Sequence, residues 1–157
     1  MNGEQNTFEI SVQLRHHGWN DDIENLEQRC RVTALRVLES KQSPAELSLV
    51  LADDDFVRGL NRQFRDQDRA TNVLSFPGDT GFEGAPEILG DVVIAYQTTA
   101  REAIEAKIKL VDHLSHLIVH GVLHLLGYDH ETAEDAKKME SREVEILAGL
   151  GVDDPYR

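Results

Sequence analysis

A chain of 157 residues suits one domain, and at that length it can bury enough surface to fold without disulfides or oligomerisation, which leaves any metal free to be functional. With 40% hydrophobic and 29% charged residues it is neither disordered nor membranous, and no apolar run reaches the roughly 18 residues that a bilayer span needs. Its 16 Lys and Arg stand against 29 Asp and Glu, a net charge of -13 whose average field repels nucleic acid and anionic membranes, so a polyanionic partner requires a local basic patch.

The first residues include Glu4, Glu9, Arg15, His16 and His17 and lack the continuous apolar stretch of a signal peptide. The single cysteine, Cys30, cannot form an intrachain disulfide and fits a reducing compartment, so a cytosolic protein with Cys30 packed in a helix is expected. Residues 7–14 alternate apolar and polar side chains, which predicts a half-buried strand. Over residues 22–39, Ile23, Leu26, Cys30, Thr33, Ala34, Val37 and Leu38 recur at helical spacing. Leu47 to Leu51 has strand length, and Asp53, Asp54 and Asp55 then suit the cap and first turn of a helix carrying Phe56, Val57, Leu60 and Phe64.

Pro77, Gly78, Gly81, Gly84, Pro86 and Gly90 make most of residues 66–90 a loop around a short edge strand at 72–76. Residues 88–96 read as a more buried strand. Thr99 and Glu102 have capping-box spacing and predict the start of a helix reaching about Lys107. A long helical pattern over 110–126 meets Gly127 in the position of a helix-ending glycine, and Thr132 with Asp135 opens a last helix carrying Met139, Val144, Ile146, Leu147 and Leu150. The order βαβαββααα predicts one α/β or α+β domain with a small mixed sheet.

Four of the seven histidines, His113, His116, His120 and His124, lie on the long helix, on one stripe about 80° wide. Leu110, Leu114, Leu117, Ile118, Val122 and Leu125 fill the other directions, which makes this a buried helix with one histidine face. His120 and His124 are one turn apart and can point at a common atom. The turn at Gly127 can return the chain so that His130 completes three sides of a tetrahedron. Three neutral imidazoles with an open fourth position describe a catalytic metal site, in which the ion keeps its full charge, acidifies bound water and polarises a substrate oxygen. The spacing equals that of the metzincin peptidases, but Gly121 stands where a peptidase carries its general-base glutamate, and no methionine lies just downstream. The metal geometry of a protease is thus present without its acid-base apparatus.

The segment His120-Gly121-Val122-Leu123-His124-Leu125-Leu126-Gly127-Tyr128-Asp129-His130 resembles the signature of the YbeY family, bacterial endoribonucleases of ribosomal RNA maturation. Two further blocks agree: Leu60-Asn61 through Phe64-Arg65 and Asp68 into Thr71-Asn72-Val73-Leu74-Ser75-Phe76-Pro77, and Leu89-Gly90-Asp91-Val92-Val93-Ile94. The resemblance covers about residues 45–156. Ala70 departs from it, since members commonly have proline before Thr-Asn, and a looser loop is expected there. The resemblance implies a single-domain α+β fold, a mixed sheet packed against helices, and a metal, expected to be one zinc ion per chain, held by His120, His124 and His130 at the end of the buried helix. It also implies single-strand-specific RNA cleavage in 16S rRNA 3′-end maturation and ribosome quality control. The expected partners are therefore single-stranded RNA, the 16S rRNA precursor and the small ribosomal subunit, without DNA or membrane.

Arg58, Arg62, Arg65 and Arg69 form a locally basic window, and the first three share a helix face. Arg65 aligns with the arginine of the family's substrate-handling block, and a guanidinium can grip a phosphate through two parallel hydrogen bonds. His116 is read as a packed histidine, with a group supporting His120 or a proton carrier as the alternative, and His113 as structural. Asp129 either orients a ligand imidazole or caps its turn. Trp19 and Tyr96 are expected in the core, with base stacking as the alternative. Two rivals to the nuclease reading are a metallohydrolase acting on a peptide or amide and a non-enzymatic ribosome-assembly factor whose metal only shapes a surface.

Overall fold

The computed structural model describes residues 7–79 and 85–157. Glu4, Gly81 and Gly84 of the sequence reading lie outside the described residues. The elements run β1 (Phe8–Leu14), α1 (His17–Asp22), α2 (Leu26–Leu38), β2 (Ala45–Ala52), α3 (Asp54–Arg65), β3 (Val73–Pro77), β4 (Glu87–Ala95), α4 (Tyr96–Ala106), α5 (Leu110–Leu125) and α6 (Ala133–Gly149). The four strands form one mixed sheet in the order β1-β2-β4-β3, with β1, β2 and β4 parallel and β3 antiparallel to β4. The α+β class is as expected, and β3 is the edge strand that its loop-flanked sequence suggested.

One sheet face and the surrounding helices enclose the main core, in which Leu49, Leu51, Val92 and Ile94 meet Ala34, Leu38, Leu114, Ile118, Val122 and Leu147. The other face packs on α3 through Val50, Ala52, Val57, Leu74, Val93 and Ala95. Helix α5 contacts α2, α4, α6, β3 and β4, which accounts for its apolar composition. Cys30 is buried on α2, as expected, and Trp19 is fully buried with its indole N–H donating to the Ala52 carbonyl at 2.9 Å. Among the described residues no helix is long and apolar enough to cross a membrane.

Two local expectations are corrected. The helix read over 22–39 starts only at Leu26, after Asn25 in the left-handed region (φ 56°), and a separate short helix α1 precedes it. Anchoring of Trp19 decides this break, and asparagine tolerates the left-handed turn that it imposes. Gly18 is also required there, because a Cβ would lie 2.6 Å from the Tyr96 ring.

The second correction concerns α4, which starts directly after β4 rather than at a Thr99/Glu102 capping box. The Thr99 hydroxyl donates back to the Ala95 carbonyl at 2.6 Å, and Glu102 accepts instead from Asn72 Nδ2 at 2.9 Å. The α4 amino terminus is capped from another helix: Asp54 accepts from the Thr98 N–H and hydroxyl at 3.0 and 2.8 Å, while Gln97 Oε1 accepts from the Asp54 N–H at 2.8 Å. Asp53 caps α3 as predicted, accepting from the Phe56 N–H at 2.8 Å, and Thr132 caps α6 through the Asp135 N–H at 3.0 Å.

Candidate functional site

Gly127 ends α5 with φ +105°. The Gly127 N–H donates to the His124 carbonyl and the Tyr128 N–H to the Leu123 carbonyl, both at 3.1 Å, the paired pattern of a Schellman turn. This turn folds the chain back over the last helical turn. The Tyr128 carbonyl comes within 2.9 Å of His124 Nδ1, and His130 arrives beside the two helical histidines.

The three rings form a triangle with centroid separations of 6.2 Å for His120–His124, 5.6 Å for His120–His130 and 5.7 Å for His124–His130. His120 Nδ1 lies 2.7 Å from the Glu143 carboxylate. A carbonyl oxygen and an ionised carboxylate only accept hydrogen bonds, so the geometry calls for the proton on Nδ1 in each helical ring, and in the corresponding tautomer Nε2 carries the lone pair. Hydrogen bonding of the distal ring nitrogen in this way is the arrangement usual for metal-binding histidine.

Three imidazoles on one tetrahedral ion stand about 5 Å apart between ring centroids. The triangle is slightly wider, and among the described residues no three His, Cys, Asp or Glu side chains are drawn tightly enough together to hold an ion as they stand. The donors fit in chemical kind, and the two helical rings each have an acceptor at Nδ1 that leaves Nε2 to face an ion.

Behind His120 lies a residue absent from the sequence reading. Glu143, on α6, is fully buried, and its carboxylate accepts from His120, from His116 Nε2 at 2.8 Å and from the Tyr156 hydroxyl. Burial alone would raise the Glu143 carboxyl, but the hydrogen bonds from His116, His120 and Tyr156 outweigh it and bring it down to about 2. Burial, followed by the hydrogen bond to Glu143, pushes the Tyr156 hydroxyl well above its ordinary range. The available signal was a glutamate on the apolar stripe of α6, four residues after Met139 and three before Ile146. His116 is thus partly buried and is linked to His120 through a shared carboxylate. His113, partly buried on the same helix, has Nε2 2.9 Å from Glu102. Asp129 Oδ1 accepts from the Glu131 N–H at 3.2 Å, the turn-capping alternative, while His124 takes a backbone carbonyl instead.

Strand β3 packs against α5. Arg65 Nη2 donates to the Ser75 carbonyl at 3.1 Å, and its guanidinium lies 5.6 Å from the Phe76 ring centroid. The Ser75 hydroxyl donates to the Gly121 carbonyl at 3.0 Å, so Arg65 is tied through one residue to the segment that follows His120. A Cβ on Gly121 would sit 2.6 Å from Val92 Cγ1 and 3.2 Å from Ser75 Oγ, so glycine lets α5 approach the sheet here. Of the other arginines, Arg58 is held two-pronged by Asp68 at 2.8 and 3.2 Å, and Arg69 Nε donates to Gln67 at 3.0 Å. Trp19 is core. Tyr96 packs on His16 with tilted rings 4.7 Å apart and donates its hydroxyl to Asp22, away from the histidine triangle in sequence and contacts.

A family model described as Endoribonuclease YbeY matches residues 9–151, so this α+β chain belongs to the YbeY family. The Endoribonuclease YbeY of Paramagnetospirillum magneticum is 47% identical over 158 residues, covering 96% of this chain and 96% of that protein. Its namesake from Rhodopseudomonas palustris is 52% identical over 127 residues, covering 79% of this chain and 67% of that protein. A Thermotoga maritima protein solved in solution shares the fold with a TM-score of 0.55 at 26% identity, covering 93% of both chains.

Proposed function

We propose that this protein is a zinc-dependent, single-strand-specific endoribonuclease that acts in the cytoplasm on the 16S rRNA precursor, at its 3′ end, in small-subunit maturation and quality control. The observation that carries this reading is the triangle of His120, His124 and His130, with Glu143 and the Tyr128 carbonyl at Nδ1 of the two helical rings, and with Arg65, at the end of α3, linked through Ser75 to Gly121 beside His120. The relatives named endoribonuclease supply the substrate class.

In this reading His120, His124 and His130 hold the ion, which when bound supplies Lewis acidity towards water or a phosphate oxygen. Arg65 uses one guanidinium edge on the Ser75 carbonyl and offers its other donors to a phosphate, where they stabilise negative charge developing at the transition state. Arg65 is also a local exception to the net charge of -13, and Arg58, its neighbour on the helix, is already neutralised by Asp68. Position 121 tells against peptide hydrolysis, because any side chain there is directed at Val92 and Ser75.

The test is cleavage of single-stranded RNA by the purified protein, with and without chelator, beside a His124→Ala control. Metal-dependent RNA cutting by the wild type alone is expected. RNA or ribosome binding without turnover would instead support an assembly factor, and cutting of peptides rather than RNA would overturn the nuclease reading. Product ends report the route: a 2′,3′-cyclic phosphate means attack by the neighbouring hydroxyl, and a linear end from the outset means attack by water.

A further inference from the structure

We propose that Glu143 is a positioning residue that fixes His120 with its proton on Nδ1 and its lone pair on Nε2, and that His116 and the carboxyl-terminal turn ending at Tyr156 hold Glu143 in that place. The proposal rests on the three-histidine reading for its purpose, though not for its geometry.

The two helical histidines solve the same problem differently. His124 lies in the last turn of α5, where the reversal at Gly127 brings a spare backbone carbonyl, that of Tyr128, to its Nδ1 at 2.9 Å. His120 lies a turn earlier, where backbone carbonyls are committed to the helix. Its acceptor has to come from elsewhere in the chain, and α6 supplies Glu143, 23 residues away in sequence.

A buried carboxylate is tolerated only where donors satisfy it. Oε2 is taken by His120 at 2.7 Å, and Oε1 is shared by His116 Nε2 at 2.8 Å and the Tyr156 hydroxyl. His116 and Tyr156 are further tied to one another, with rings edge to face at 5.4 Å and Nε2 to hydroxyl at 3.2 Å. These contacts prevent the carboxylate from rotating away from His120.

The tail reaches this point by local geometry. Helix α6 ends in a Schellman turn at Gly151 (φ +80°), with the Val152 N–H donating to the Leu147 carbonyl at 2.9 Å and the Gly151 N–H to the Ala148 carbonyl at 3.1 Å. Asp154 Oδ1 then accepts from the Tyr156 N–H at 2.8 Å and sets the direction from which the tyrosine approaches.

The isosteric Glu143→Gln variant separates positioning from packing. A carboxamide has one accepting oxygen and one donating nitrogen. Two donors, His116 and Tyr156, compete for the oxygen, so the amide nitrogen turns towards His120. It then demands an unprotonated Nδ1 and drives the His120 proton to Nε2, where it blocks ligation.

The experiment assigns the His120 tautomer in isotope-labelled, metal-free protein by long-range proton–nitrogen correlation, at a pH where the ring is neutral, and measures zinc affinity by chelator competition. The expected results are a proton on Nδ1 in the wild type, a proton on Nε2 in Glu143→Gln, and a loss of zinc affinity of roughly 10- to 100-fold in that variant. A His120 protonated on Nε2 in the metal-free wild type would overturn the role of Glu143 even if the variant failed to fold. So would a folded Glu143→Gln protein with wild-type tautomer and affinity.

Tyr156→Phe removes one hydroxyl at a half-exposed ring, and should weaken zinc several-fold while leaving the Nδ1 tautomer in place. Wild-type affinity in that variant would remove the tail from the proposal. If the wild type bound no zinc, the metal reading would fail, while the tautomer measurement would still decide whether Glu143 sets His120.

Discussion

Replacement of Arg65 separates substrate handling from both fold and metal. In the folded protein the guanidinium spends one N–H on the Ser75 carbonyl at 3.1 Å and lies 5.6 Å from the centroid of Phe76. Arg65 itself is exposed and spends only one neutral-acceptor hydrogen bond and one weak ring contact, on a buried Ser75 and a half-buried Phe76, so Arg65→Ala should cost about 1 kcal/mol of stability. For a chain of this length that is a fall in melting temperature of no more than about 4 °C. Metal content should not change, since the residue has no ligating chemistry. A charge-assisted hydrogen bond to a reacting phosphate is worth about 1.5–3 kcal/mol, so RNA cleavage should slow by roughly 10- to 150-fold.

Arg65→Lys distinguishes a grip from a diffuse attraction. Lysine offers a single charged nitrogen and cannot hold both the Ser75 carbonyl and a phosphate in fixed geometry, so it should recover only part of the rate. The assay is single-turnover cleavage of a labelled single-stranded RNA at low and saturating protein, at two salt concentrations, alongside melting curves and elemental analysis. If the arginine grips the reacting phosphate, the defect persists at saturation. Equal rates for the wild-type, Ala and Lys proteins under all these conditions would refute the assignment and leave Arg65 as a strap between α3 and β3.

Elemental analysis of the purified protein should find about one zinc-like ion per chain, and full metal content in His124→Ala would refute the coordination proposed. The chelated protein should keep its far-UV helical signal with a lower melting temperature, because the core does not depend on the ion. Gly121→Ala introduces a methyl group 2.6 Å from Val92 Cγ1, an overpacking cost of about 1–3 kcal/mol against a gain of about 1 in helix propensity, so a small loss of stability is expected. Gly121→Glu adds a carboxylate in the same space and should lose several kcal/mol and RNA cleavage without gaining peptidase activity. Wild-type melting and cleavage in that variant would show that the close approach is dispensable. Burial, reinforced by the charge of Glu27, pushes the Cys30 thiol from 9.0 up to about 12, so thiol reagents at mildly alkaline pH should label it only on unfolding. Because the folded value is the higher one, this thiol's contribution to stability is complete below 9.0 and is lost as the pH rises towards 12. Rapid labelling of the native protein would contradict its burial.

By itself the sequence determined those features whose causes lie within a few residues. Alternation marked β1, helical spacing and the run to Gly127 marked α5, and Asp53 and Thr132 marked their helix starts, because caps and side-chain periodicity are settled over one or two turns. The same locality made His120, His124 and His130 legible as a set, since a helix turn and a glycine reversal account for their meeting. Tertiary structure alone decided the rest. Trp19 docks on Ala52 where the expected helix breaks and α1 forms, and Asp54, from α3, replaced the local cap read at Thr99. The support of His120 by Glu143, and of Glu143 by His116 and Tyr156, joins groups 13 to 27 residues apart, and Ser75 joins Gly121 across 46. A buried polar group must find its partner wherever packing brings one, and the sequence around either partner carries no periodic trace of that meeting.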